Sequence, residues 1–396
     1  MMAGTTPPWR PEVAAGERRP HVVFCVSSLW MGGAESQLTS LLERSREHLL
    51  SKRVTILTVT PRIDASLQER LAALDLTIVT VERTGRSFPA FFLDLVRWFR
   101  RERPDLVHTL MSGTVGTWGR LAARLAGVPR VVHSELSLAH PRTRVQRALE
   151  PFVNRITLRF LPNARAIAQR LMEDGVPEDR IRVIRNGVDL DRFSTAVEPR
   201  LRADWPVADD DVVAGFLGMF RREKRPELLL DAVTGLHEQD RPSLVAFAGD
   251  GVLMPGMRER VAADPWLRGH VRLLGLVQDT PGFLASIDFL VLTSDTEGLP
   301  NAIVEAMAAG VPCIATRVSD VPDLIDDPEL VVEPGDAEGL GTAIRKLRHM
   351  RRSELRALGQ RGRERAVREF GLELAATRFW AAHDEVLSIG SDASTP

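Results

Sequence analysis

Apolar runs rich in β-branched residues alternate with amphipathic stretches along nearly the whole chain, and few folds accept that rhythm. HVVFCVSS (21–28), RVTILTV (53–59), LTIVTV (76–81), DLVHTL (105–110) and RVVHS (130–134) read as short strands buried on both faces. The pattern repeats in VVAGFLG (212–218), SLVAFAG (243–249), VRLLG (271–275), DFLVLT (288–293) and VPCIAT (311–316). Helical segments lie between the first strands, at 34–50, 64–74, 89–103, 114–126 and 142–158. Strands alternating with helices predict parallel, doubly wound α/β sheets. With 396 residues the chain has room for two such domains.

The predicted organisation is a disordered extension over 1–20, a first domain over 21–195 and a second over 196–370. STAVEPRLRADWPVADDD, which loses apolar periodicity, marks the join. Two helical segments, about 336–350 and 353–388, close the chain, and 371–388 is expected to pack back on the first domain. No run approaches eighteen apolar residues and the N-terminus has no apolar signal core, so a membrane-spanning or secreted protein is not expected. Two cysteines, Cys25 and Cys313, exclude a disulfide scaffold and fit a reducing cytoplasm.

Charge is uneven. Residues 1–200 hold 30 basic against 21 acidic side chains, and the rest 22 against 32. The basic half suits an anionic partner or simply a solvated face. RWFRRERP (97–104) and PRTRVQRALEPFVNRITLRF (141–160) mix Arg with large apolar residues as an interfacial helix does. In the first, Phe91, Leu95, Trp98 and Phe99 also have the spacing of a core stripe. Nucleic acid is not an expected partner: the basic residues are scattered and the chain has no Tyr.

Three constellations carry chemistry. In SSLWMGGAESQL (27–38), Gly32 and Gly33 open a helix after a strand, either as a phosphate-facing turn or as an ordinary tight βα turn. In GMFRREKRPELLL (218–230), Arg221, Arg222, Lys224 and Arg225 fill the turn before a helix, where Arg offers a donor fork and Lys a point charge. Lys224 is one of only three lysines in the chain. In SDTEGLPNAIVEAMAAGVPCIAT (294–316), Glu297 and Glu305 are spaced E-x7-E across a turn and a helix start. Paired carboxylates suit glycoside hydrolysis, but a nucleotide-sugar donor accounts for carboxylates, cationic turn and helix start together. No Walker A or G-x-G-x-x-G motif supports other phosphate chemistry.

These segments, with Asn186-Gly187-Val188-Asp189 and Ala248-Gly249-Asp250-Gly251, resemble glycosyltransferase family 4, over roughly residues 20–385. The resemblance implies the retaining GT-B fold, two Rossmann-like domains facing each other across a cleft. It implies transfer of a sugar from a nucleoside diphosphate sugar, UDP-sugar by preference, to a sugar, lipid-linked or small-molecule hydroxyl acceptor. That fits polysaccharide or glycoconjugate synthesis in the cytoplasm, with peripheral contact at an anionic membrane. Glu297 is implied at the donor sugar, Glu305 at the ribose hydroxyls, and Arg221 and Lys224 at the diphosphate. Gly32, Gly33, Asp250, Gly251, Gly298, Leu299, Asn301 and Ala302 are implied beside sugar and phosphate, with Leu276 and Val277 beside the base. His133 is implied as the functional histidine; a register on Ser134-Glu135 puts Leu136 there instead, and His108 and His140 are further candidates. Met219 and Val318-Ser319-Asp320 depart from the pattern, which more often has Arg and paired glycines. Asp189-Leu190-Asp191 resembles a metal motif of another transferase fold, but neither metal nor other cofactor is expected. Alternatives are a sugar-nucleotide epimerase of the same fold and a non-catalytic sugar-nucleotide binder.

Overall fold

A computed structural model describes residues 18–389, apart from 31, 75, 86, 139–141, 195, 196 and 199. Met31, His140, most of the N-terminal extension and nearly all of the C-terminal tail thus lie outside the described residues. The chain forms two units, residues 1–187 with 372–396, and Val188–Gly371.

The first unit holds six parallel strands: β1 (His21–Val26), β2 (Arg53–Thr58), β3 (Thr77–Thr80), β4 (Leu106–Leu110), β5 (Val131–Ser134) and β6 (Arg159–Phe160), in spatial order β3-β2-β1-β4-β5-β6. The second repeats the plan with β7 (Val213–Leu217), β8 (Leu244–Ala248), β9 (Val271–Gly275), β10 (Phe289–Leu292), β11 (Cys313–Thr316) and β12 (Val331–Val332), in order β12-β11-β10-β7-β8-β9. The central strands are buried throughout because helices cover both faces, which is why they read as unbroken apolar runs. The helices used below are α1 (Gly33–Glu43), α2 (Arg144–Arg155), α3 (Arg165–Glu173), α4 (Pro226–Gly235), α5 (Asn301–Ala309), α6 (Arg352–Glu369) and α7 (Leu372–Ser388).

The expected closing helix over 353–388 is two helices. The break falls at Phe370 and Gly371, where the Val188 N–H donates to the Phe370 carbonyl at 2.7 Å and Phe370 is buried. The chain leaves the first unit after Gly187 and re-enters it at Leu372. α7 seats Phe379, Trp380, Ala382 and Val386 in the same core as Phe24, Leu38 and Leu42. Among the described residues no helix is long and apolar enough to cross a membrane.

Candidate functional site

In the second sheet the winding direction reverses between β7 and β10, and loops at the carboxyl ends of such neighbours form the usual ligand crevice of open α/β sheets. The loop after β7 carries the four cations. Phe220 anchors it, fully buried and edge-on to Phe216 (5.7 Å) and Phe247 (6.0 Å), while Arg221 and Arg222 are left exposed. Two glycines let the loop after β8 close on it. A Cβ on Gly249 would stand 1.8 Å from the Gly218 carbonyl oxygen, and one on Gly251 2.6 Å from that of Phe220. Asp250 is exposed, and its carboxylate accepts the Gly251 N–H at 2.7 Å.

The turn is also fixed to the end of β10. The Thr293 hydroxyl lies 2.7 Å and 2.8 Å from the carbonyls of Lys224 and Arg225, and the Asp295 N–H donates to the Glu223 carbonyl at 2.8 Å. Arg225 takes a left-handed φ of 44°, which turns the chain into Pro226 and α4. The outcome is an ion pair between Lys224 Nζ and Glu297 Oε1, joining two of the predicted residues. Ser294 Oγ donates to the same oxygen at 2.7 Å, and Glu297 is 9% exposed.

Gly298 and buried Leu299 lead to Pro300, which caps α5. The N–H groups of its first turn, those of Asn301 and Ala302 among them, form the positive end of the helix dipole. Glu305 sits in the second turn, eight residues after Glu297. Loss of solvent around its carboxyl lifts the pKa to about 7, against a downward pull from Arg192. Native Glu305 therefore keeps a proton that the unfolded chain releases between about pH 4.5 and 7. Stability contributed by that proton is lost as pH rises through this window. Glu305→Gln is expected to raise the unfolding midpoint at pH 8, with a ceiling of about 3 kcal/mol, and to leave it nearly unchanged at about pH 4, below the window. Melting curves at the two pH values check it; equal midpoints at pH 8 refute the upward shift of this half-buried carboxyl.

Val277 packs half-buried against the second unit's core and Leu276 is 53% exposed. Ser319, which follows β11, has a left-handed φ of 49°, a conformation that glycine adopts more readily. Asp189 Oδ1 accepts the backbone N–H groups of Asp191 (3.2 Å) and Arg192 (3.4 Å), as a turn-forming aspartate does.

In the first unit the winding reverses between β1 and β4. Gly32 caps α1 and Gly33 begins it; a Cβ on Gly32 would lie 2.4 Å from Glu35 Oε2. Met111 (φ 69°) and Gly113 (φ 88°) shape the loop after β4, which continues as a π-helical turn over Thr114–Gly119. His133 lies inside β5 and is 1% exposed. Its Nδ1 lies 2.9 Å from Thr109 Oγ1 and 3.1 Å from the Thr109 carbonyl oxygen, while Nε2 has no hydrogen-bond partner. Burial first, then Arg120, lowers its pKa, against an upward pull from Glu135 and Glu150. His108 is also buried, with Nδ1 2.9 Å from His383 Nε2 and Nε2 2.8 Å from Ser134 Oγ. Leu136 is half-buried against the first core.

Sequence reasoning missed the Lys224–Glu297 pair, because the two stand 73 positions apart on different loops. It also missed the interior polar cluster of Arg120, Glu135 and Glu150 in the first unit. Glu150 and Asn154, four positions apart on α2, were the available signal.

Comparison with known proteins supplies the family. A model described as Glycosyltransferase Family 4 matches residues 31–192, and one described as Glycosyl transferases group 1 matches 211–349. The chain is 32% identical, over 57% of its length, to the UDP-Gal:alpha-D-GlcNAc-diphosphoundecaprenol alpha-1,3-galactosyltransferase of Escherichia coli, and the match spans 61% of that enzyme. It is 29% identical to the putative glycosyltransferase EpsF of Bacillus subtilis, over 74% of this chain and 78% of the relative. Crystalline Anabaena HepE in complex with UDP and glucose superposes with a TM-score of 0.79 at 18% identity, covering 93% of this chain and all of that one. Sucrose-phosphate synthase of Thermosynechococcus elongatus gives 0.76 at 16% identity over 94% of this chain. These likenesses establish the GT-B fold. Two matched family models and the named relatives lead to one conclusion: the chain belongs to glycosyltransferase family 4, a family of sugar-transferring enzymes.

Proposed function

We propose that this protein transfers a sugar from a UDP-sugar to an acceptor hydroxyl with retention of anomeric configuration. The observation that carries the reading is the Lys224–Glu297 pair, held at the reversal point of the second sheet beside exposed Arg221 and the start of α5. As the glycosidic bond breaks, negative charge grows on the departing nucleoside diphosphate. Arg221, Lys224 and the first-turn N–H groups of α5 are suited to stabilise it where it develops. Glu297 then addresses the donor sugar and Glu305 the ribose hydroxyls, with Asp250, Gly251 and Val277 completing the donor side. Fixed cations do the work of a divalent ion in this scheme. The Escherichia coli relative is named for a UDP-galactose donor and HepE was crystallised with UDP and glucose, which supports UDP over other nucleotides.

A thermal-shift screen with UDP-, GDP- and ADP-sugars tests the reading. A donor at a hundredfold excess over its Kd stabilises by about 2.7 kcal/mol, and UDP-sugars are expected to shift the midpoint most. Transfer is expected to proceed unchanged in EDTA. No shift with any of the three nucleotides defeats the proposal, and release of free sugar without an acceptor would instead favour the epimerase.

The outer face of α2 supports peripheral contact with an anionic membrane: Val145 and Phe152 are 57% and 52% exposed, flanked by exposed Arg144, Arg147 and Arg155. Failure to sediment with anionic vesicles at low salt removes this element of the proposal.

A further inference from the structure

The Lys224–Glu297 pair is closed by side chains, because the backbones around it are pinned elsewhere. Thr293 Oγ1 holds the Lys224 carbonyl at 2.7 Å, and Thr316 Oγ1, at the end of β11, holds the Ser294 carbonyl at 2.5 Å. What can move is the lysine stem: the Lys224 side chain is 26% exposed, that of Glu297 only 9%. The cations of the turn are therefore not equally free. Exposed Arg221 and Arg222 have no carboxylate partner among the described residues, and Arg225 pairs with Asp295 at 3.3 Å. The charge of Lys224 already answers Glu297.

A diphosphate that draws the ammonium away leaves a buried carboxylate with Ser294 Oγ, at 2.7 Å, as its remaining hydrogen-bond donor among the described residues. Stranding it is costly, since burial has already removed most of the water that would solvate the charge. An intact nucleotide-sugar offsets this cost, because a sugar hydroxyl can donate to the carboxylate in place of the ammonium. Free UDP brings no such hydroxyl to that end, and its terminal phosphate carries the same sign of charge as Glu297. Donor and product share the diphosphate and differ at this one carboxylate.

We propose that the Lys224–Glu297 pair expels the product nucleotide: Glu297 competes with UDP for the Lys224 ammonium and reclaims it once the sugar has gone. Resting on the transfer reading above, this makes Glu297 the residue that tells donor from product. Release of product limits turnover in many enzymes, and a competitor built into the site hastens it.

Calorimetric titration of the full chain with UDP tests it. Glu297→Gln is expected to tighten UDP about tenfold, since no charge-assisted hydrogen bond is then given up on binding. In the Lys224→Met background the same change should alter UDP affinity less than about twofold, because nothing is left to compete for. Ser294→Ala should act in the opposite direction and weaken UDP about threefold, as Glu297 loses its other donor. That variant removes a single buried oxygen and decides the matter alone if circular dichroism shows Glu297→Gln to be unfolded. UDP binding to Glu297→Gln that equals or falls below the parent's overturns the proposal and leaves the donor assignment standing. A tenfold gain that persists beside Lys224→Met overturns it too, for Glu297 then merely repels the phosphate. Absence of UDP binding in parent and variants alike defeats the transfer reading, and this inference with it.

Discussion

Lys224→Met is expected to slow sugar transfer about a hundred- to a thousandfold, the usual loss when one preorganised group facing developing charge is removed. The side chain has a second duty, since its ammonium closes an ion pair on Glu297, which is buried apart from 9% of its surface. Without it Glu297 keeps Ser294 Oγ at 2.7 Å but loses its counter-charge, at a cost of about 1–3 kcal/mol. Rate and stability should therefore fall together in the single variant and separate in the double. Lys224→Met with Glu297→Gln removes the stranded charge, so the melting midpoint should return while transfer stays slow. Lys224→Arg keeps the charge but replaces a compact ammonium by a planar fork, and should recover only part of the rate. Steady-state kinetics with a UDP-sugar, paired with melting curves, read all three. A single variant that keeps more than about a tenth of its activity would remove Lys224 from the diphosphate site.

Ending the chain at Gly371 is expected to unfold the first unit and leave the second standing. α7 contributes Leu372, Phe379, Trp380 and Val386 to a core it shares with Val22, Phe24, Leu38 and Leu42. Each large side chain is worth about 1.5–3 kcal/mol of burial, so the helix supplies an amount comparable to the 5–15 kcal/mol that usually separates folded from unfolded. The second unit has two apolar clusters, and neither includes a residue of α7. Limited proteolysis should degrade residues before 187 and spare Val188–Gly371; two intact cooperative transitions in calorimetry would contradict this. Trp380→Ala in the full chain is the milder form, at about 3–5 kcal/mol.

The seat of α7 is also sensitive to acid. His383 is buried with a pKa near 4, lowered by loss of solvent, and burial holds His108 beside it well below the usual imidazole value as well. A buried neutral histidine contributes stability that is complete above the unfolded pKa of about 6.5 and is lost as pH falls toward the folded value. The first unit should loosen before the second between pH 6 and 4.

Much of the fold could be read from the chain because strands covered on both faces are apolar at every position. β6 and β12 could not, since two residues show no period. The cut at 370/371 was legible as a domain boundary but not as a helix end, because helical phasing runs on through Phe370, where the Val188 N–H bonds the backbone. At the candidate site, residue types and spacing pointed to Lys224, Glu297 and Glu305 as separate residues. Their coupling and the half-burial of Glu305 depend on which loops a reversed winding order brings side by side, and no local pattern records that. α2 shows the opposite failure: Glu150 and Asn154 look like a wet face, yet Arg120 across the fold turns them inward.

Because the polypeptide departs at Gly187 and comes back only at Leu372, the second unit is an insertion within the first. During synthesis on the ribosome, the half that emerges first must wait for the last segment to be made. Until then the hollow around Phe24 and Leu42 stays open to water and to other nascent chains, while the inserted half can finish ahead of it. What is translated earlier is completed later, and apolar surface of the first unit stays uncovered until α7 is released.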